Sequence, residues 1–226
     1  MKEKWKIELL IGMGFLGFFV LWTILIQCVD VQAAGPNGTK IGFATFNVWF
    51  QKLTDVHMAI YTITDWLGLV PIAICLYFAG TGFIQLLKRK SFFQVDSDIL
   101  FLGIYYILIV FGYLIFEMIP INYRPILINE ILEASYPSST TLLVLSVMPT
   151  LKFQIDRRTE NSTIRNAVSA FTMLFSAFMV VGRLFTGVHW ATDIIGSALL
   201  SAGLFLMYRL AVQLSDQRER RQQRGE

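Results

Sequence analysis

The sequence predicts an all-α fold: a polytopic six-helix transmembrane bundle with an interfacial amphipathic helix between the first two spans. Three observations carry the prediction. Of 226 residues, 55% are hydrophobic and only 15% charged, a balance that suits an integral membrane protein rather than a soluble domain. Apolar runs approaching the roughly 20 residues a helix needs to cross a bilayer recur along the chain. The basic residues collect on alternate connections, although the formal net charge is only +3, and such asymmetry orients membrane spans.

The first span is expected over residues 7–29. It follows Lys2, Lys4 and Lys6 and precedes Val31-Gln32-Ala33-Ala34, which has the look of a signal-peptide cleavage region. The apolar run is long for a signal, which favours an uncleaved span. The second span is expected over 66–87, the third over 99–119, the fourth over 138–151 and past Lys152, the fifth over 167–185 and the sixth over 190–210. Between the first two, Phe46, Trp49, Phe50, Leu53, Val56 and Ile60 recur at helical spacing. They form an amphipathic helix that either lies in the interface or packs over the bundle. Trp49, Trp66 and Trp190 fall where interfacial aromatics are expected.

Lys2, Lys4, Lys6, Lys88, Arg89, Lys90, Lys152, Arg157, Arg158, Arg165, Arg209 and the arginines of 218–224 then share one side. Only Lys40, Lys52, Arg124 and Arg183 remain on the other. The positive-inside rule places both termini in the cytoplasm, in a multi-pass protein of the cell membrane. Residues 1–211 make the membrane domain. Residues 212–226 make a basic cytoplasmic tail, a topology determinant whose charges can also touch anionic lipid. Cys28 and Cys75 lie in apolar runs and offer neither a disulfide framework nor zinc spacing. No nucleic-acid partner is implied, and no span carries the midplane charge pair or broken helix of a transporter.

Three segments converge on the outer side. Residues 117–125 follow the third span and hold Glu117, Arg124 and Pro125. Residues 136–141 open the fourth span as Tyr136-Pro137-Ser138-Ser139-Thr140-Thr141. Residues 183–193 join the fifth and sixth spans and hold Arg183, Gly187, His189 and Asp193. Pro-Ser-Ser is a helix-start signal, and helix N-termini bind anions. The arginines offer planar forks that match phosphate oxygens. His189 and Asp193, at i and i+4, share a face if the sixth helix begins near the histidine. The carboxylate can then hold one imidazole nitrogen protonated and leave the other free to attack. Gly187 allows a tight turn ahead of the histidine, and Gly196 and Gly203 permit close packing of the sixth span. Each feature also has a structural explanation: a helix cap, an interfacial anchor, a local hydrogen bond. Their meeting on one membrane face is what favours chemistry.

At these residues the chain resembles the type 2 phosphatidic acid phosphatase family, related to vanadium haloperoxidases. That family's third motif is Ser-Arg, five residues, His, three residues, Asp. Here Arg183, His189 and Asp193 keep the spacing, with Gly182 in place of the serine. Its first motif is Lys, six residues, Arg-Pro, matched by Arg124-Pro125 with Glu117 at the lysine. Its second motif, Pro-Ser-Gly-His, is matched by Pro137-Ser138 with Ser139 and Thr140 following. The resemblance implies a metal-free, cofactor-free phosphatase or phosphotransferase. It would act at the outer face on a lipid phosphate or isoprenoid diphosphate, through a phosphohistidine. His189 would attack, Asp193 would orient it, and Arg124, Arg183, Ser138 and Ser139 would bind phosphate.

Two departures matter. A histidine that protonates the leaving oxygen is worth roughly 10²–10⁴-fold, and Thr140 cannot replace it. Glu117 removes a positive charge. Either the substrate has a good leaving group, as a lipid diphosphate does, or another group supplies the proton; His57, Glu117, Glu130 and Glu133 are on that side, and Glu117, if buried with a raised pKa, could do it. A degenerate relative that binds anionic lipid or acts as a membrane scaffold is the alternative reading.

Overall fold

A computed structural model describes residues 4–224. The described residues form eight α-helices: α1 Lys4–Cys28, α2 Ala44–Thr54, α3 Met58–Leu67, α4 Leu69–Arg89, α5 Ser97–Met118, α6 Ser139–Arg158, α7 Ser162–Phe185 and α8 Ala191–Arg224. Among the described residues no strand forms, only isolated antiparallel bridges such as Tyr123–Ala134. Five stretches of the described residues are long and apolar enough to cross a membrane: Trp5–Cys28, Met58–Arg89, Ser97–Met118, Ser162–Phe185 and Ala191–Arg224.

The expected fourth span, α6, is not among them, and its surroundings explain why. It packs against α4, α5, α7 and α8, so its solvent is protein rather than lipid. Val144, Val147, Met148 and Gln154 are buried. Its polar groups find partners across the bundle: Thr150 with the Tyr106 hydroxyl at 2.7 Å, Gln154 donating to the Tyr208 hydroxyl at 2.5 Å, and Ser146 donating to Ser201 at 3.2 Å. A hydropathy window measures preference for lipid and so underrates a helix buried in a bundle.

The second span differs most from expectation. Its helix begins at Met58 rather than Trp66, because α3 runs into α4 through Gly68. The expected amphipathic helix is correspondingly divided. Phe46, Trp49, Phe50 and Leu53 lie on α2, Val56 lies in the connection, and Ile60 belongs to α3. The break comes at Asp55, whose φ is 56°, and it is held by the α7–α8 connection. There Gly187 adopts φ 67°, and a Cβ on it would lie 2.3 Å from the Asp55 carbonyl oxygen. The His57 amide also donates to the Thr186 carbonyl at 3.1 Å. Glycine alone fits this contact. On α2, Asn47 is buried and donates to Thr192 of α8 at 3.0 Å, while Phe46, Trp49 and Leu53 are exposed. Trp66 is exposed too, but Trp190 is buried, donating from Nε1 to the Tyr123 carbonyl at 2.7 Å. Trp190 is therefore a core residue, not an interfacial anchor.

Helix α1 lies along α8, where a Cβ at Gly203 would come within 2.7 Å of Leu16. Thr23 of α1 shares a 2.7 Å hydrogen bond with the Tyr136 hydroxyl. This fixes the segment ahead of α6. At the bundle's other end, buried Asp98 lies 3.0 Å from Arg158 and 3.4 Å from Arg157, and Arg157 also meets Asp216 at 2.7 Å.

Candidate active site

Four elements meet at the end of the bundle where α5 and α7 finish and α6 and α8 begin. The α5–α6 connection folds back on itself. The Arg124 amide donates to the Glu133 carbonyl at 3.0 Å and the Ser135 amide to the Asn122 carbonyl at 2.9 Å. That pairing sets the Arg124 side chain beside Glu133, whose Oε2 lies 3.0 Å from Nε. A cavity of about 170 Å³ opens here, lined by Tyr113, Glu117, Arg124, Glu133, Ser139 and His189, among others.

His189 is buried in the turn before α8. Its Nδ1 lies 3.7 Å from Asp193 Oδ2, within charge range but longer than a hydrogen bond. Asp193 is fully buried. Its Oδ2 accepts the Trp190 amide at 2.9 Å, and Oδ1 faces Asn122 Nδ2 at 3.4 Å. The first of these is half of a capping box, the third helical residue reaching back to the N-cap amide. Asp193 thus both starts α8 and faces the imidazole. Burial, with Arg124 and Arg183 nearby, holds the His189 pKa below its ordinary 6.5 against the pull of Asp193.

Arg183, on the last turn of α7, is 1% exposed. Its Nη2 donates to Thr140 Oγ1 at 2.7 Å and to Asp65 Oδ1 at 2.9 Å. Both guanidinium groups lie over the Tyr61 ring, Arg183 at 4.9 Å and Arg124 at 5.9 Å from its centroid, so one aromatic ring contacts two cations. Buried nitrogens of these groups stay without a hydrogen-bond acceptor: Arg183 Nε, Arg124 Nε and Nη1, and His189 Nδ1. For Arg124 Nε the nearby Glu133 oxygen is close but makes no hydrogen bond. Buried donors of this kind are costly unless something accepts from them.

The residues singled out in the sequence divide. Arg124, Ser139, His189 and Glu117 line the common cavity; Asp193 and Arg183 do not, Asp193 lying behind His189 and Arg183 meeting Arg124 at Tyr61. Ser138 does not line the cavity. Its hydroxyl donates to Thr141 at 3.1 Å and its carbonyl accepts from Ser197 at 3.0 Å, so it joins α6 to α8. Thr140 is the anchor of Arg183. Glu117 is exposed rather than buried, contrary to the expectation of a buried acid. His57 and Glu130 are exposed and lie outside the cavity lining, whereas Glu133 lines it and sits against Arg124.

The PAP2 superfamily profile matches residues 88–216, more than half of the chain. The chain belongs to the PAP2 superfamily. In fold this PAP2 protein is similar to the crystal structure of the first transmembrane PAP2-type phosphatidylglycerolphosphate phosphatase from Bacillus subtilis. The TM-score is 0.62 at 15% identity, over 88% of this chain and 94% of that one. No curated protein sequence matches it significantly. The profile match contains Arg124, the 137–140 segment, Arg183, His189 and Asp193, but not Tyr61 or Asp65. Those two come from α3, outside the matched region, at i and i+4 on one helix face. The available signal was a carboxylate within the apolar run 58–87. It was hidden because the second span was expected to start one residue after Asp65.

Proposed function

We propose that this PAP2 protein is a six-span membrane lipid phosphatase or phosphotransferase, with both termini in the cytoplasm and its site at the extracytoplasmic face. The observation that carries the proposal is the pair of guanidinium groups with buried, acceptor-free nitrogens, Arg124 and Arg183, held together at Tyr61, with Arg124 and the buried His189 lining one small polar cavity. A phosphoryl group supplies what they lack: anionic oxygens for the two guanidinium groups and an electrophile for the imidazole.

In this reading Nδ1 of His189 faces Asp193, which leaves Nε2 to attack phosphorus. The P–O bond to the lipid-side oxygen breaks and a phosphohistidine forms. Water then attacks that phosphoryl group, the P–N bond breaks, and inorganic phosphate leaves. A lowered histidine pKa keeps the imidazole neutral, as a nucleophile requires. The fixed arginines stabilise charge growing on the equatorial oxygens. Thr140 is committed to Arg183 and offers no acid, which favours a substrate whose leaving group needs none. A lipid diphosphate, which releases a phosphate, fits better than a phosphomonoester, which must release an alkoxide.

A second reading is favoured by the same contacts. Each arginine already faces a carboxylate, Asp65 or Glu133, as it would in a relative that only binds lipid. The test is phosphate release from undecaprenyl diphosphate and from phosphatidate by purified wild type and His189→Ala, with acid-quenched trapping of phosphohistidine. Release by wild type alone, with label on residue 189, supports the enzyme. Equal release by both proteins refutes it.

A further inference from the structure

A second cleft lies at the opposite end of the bundle, where the function proposed above makes no use of it. It has a volume of about 550 Å³, and Trp5, Phe101, Ala211, Leu214, Arg218 and Arg221 line it, with no acidic residue in the lining among the described residues. The α8 positions 211, 214, 218 and 221 repeat at three and four residues and so form one stripe. Along that stripe the chemistry changes from apolar to cationic within two turns.

The length of α8 fixes where the change falls. Its 34 residues span about 51 Å at 1.5 Å per residue, against a hydrocarbon core of about 30 Å. Its C-terminal part must therefore leave the hydrocarbon, and the sequence turns polar at Ser215. At that rise Ala211 and Leu214 lie about 30 and 35 Å from the start of α8, at the edge of the hydrocarbon, and Arg218 and Arg221 lie beyond it on the headgroup side. Trp5, over whose ring Lys6 Nζ sits at 5.9 Å, closes the cleft from α1 with an amphipathic ring suited to that boundary. Nearby basic residues are already engaged: Arg157 with Asp98 and Asp216, Arg158 with Asp98, and Arg209 with Glu8. Among the described residues, Arg218 and Arg221 have no carboxylate within ion-pair distance.

We propose that this cleft binds one anionic phospholipid of the surrounding bilayer, its phosphate held by Arg218 and Arg221 and its acyl shoulder against Leu214, Ala211 and Phe101. The site is separate from the His189 cavity, and the lipid there is bound, not turned over.

The test uses full-length protein in neutral detergent, titrated with phosphatidylglycerol, phosphatidylcholine or inorganic phosphate and read by native mass spectrometry. Wild type is compared with Arg218→Gln/Arg221→Gln and with Arg220→Gln/Gln223→Glu. The latter pair lowers the net charge by the same two units on the far face of the helix. A juxtamembrane arginine is worth about fivefold in affinity for anionic lipid, so losing the cleft pair should weaken phosphatidylglycerol binding by roughly thirtyfold. The far-face variant should stay near wild type. Phosphatidylcholine and free phosphate should be retained poorly by all three. All four positions are exposed on a helix, and thermal unfolding in the same detergent checks that each variant is folded. Equal loss in both double variants would mean diffuse charge attraction and overturn the site. Unchanged binding in Arg218→Gln/Arg221→Gln, or equal retention of phosphatidylcholine by wild type, would overturn it as well.

Discussion

Replacing Thr140 with valine isolates one hydrogen bond in the candidate active site. Arg183 is 1% exposed, and its Nη2 has two acceptors, Thr140 Oγ1 at 2.7 Å and Asp65 Oδ1 at 2.9 Å. Valine keeps the threonine shape and its branched, χ1-restricted form, so packing and α6 are preserved. What disappears is a charge-assisted acceptor, worth about 1.5–3 kcal/mol to a buried donor. Because Asp65 still accepts from the same nitrogen, the low end applies. A loss of about 1.5 kcal/mol in transition-state binding is roughly tenfold in kcat/KM. The assay is steady-state phosphate release from a lipid diphosphate, with thermal unfolding measured in parallel. A tenfold fall is expected together with a modestly lower Tm, because the same acceptor is lost to a donor buried in the folded protein. If kcat/KM stays at the wild-type value in folded protein, the Thr140–Arg183 contact does not position a catalytic cation.

Four further outcomes follow from the same geometry. Ser139→Ala should lower kcat/KM with little change in Tm, whereas Ser138→Ala should lower Tm by the loss of its bond to Thr141, about 1 kcal/mol, and leave kcat nearly unchanged. The reverse pattern would restore Ser138 to the phosphate site. Since burial lowers the His189 pKa, the neutral nucleophile should persist as pH falls below 6.5. The acid limb of kcat/KM, corrected for substrate ionisation, should then lie below 6.5, and a limb above it contradicts the burial seen here. Stability should decline over the same window, because below 6.5 the unfolded chain takes up a proton that the folded histidine resists down to its lowered value. Gly187→Ala combines a positive φ with a Cβ 2.3 Å from the Asp55 oxygen. It should destabilise by about 2 kcal/mol or more, read as a lower Tm, and reduce activity through the displaced His189 turn.

The Arg–His–Asp spacing was legible because it is local. Arg183, His189 and Asp193 lie within one connection, and the turn and helix start that relate them depend on only a few residues. The polar cluster after Pro137 was legible as a helix start for the same reason, but its side-chain roles were not. Whether Ser138 or Ser139 enters the cavity depends on which face of α6 meets α8, and Ser197 and Thr141 decide that through long-range and in-helix hydrogen bonds.

Sequence by itself determined the all-helical membrane character of this protein, because transfer of apolar side chains and backbone out of water is set by composition and run length. It also determined the order of the basic residues and the Arg–His–Asp spacing. Only the tertiary structure decided that α6 is an interior helix, that Trp190 is core, and that Tyr61 and Asp65 from α3 complete the arginine cluster. Those facts depend on how helices far apart in the chain are placed side by side. A one-residue difference in where a span begins concealed Asp65, because hydropathy ranks residues by their cost in lipid and is blind to the guanidinium that a neighbouring helix brings to meet them.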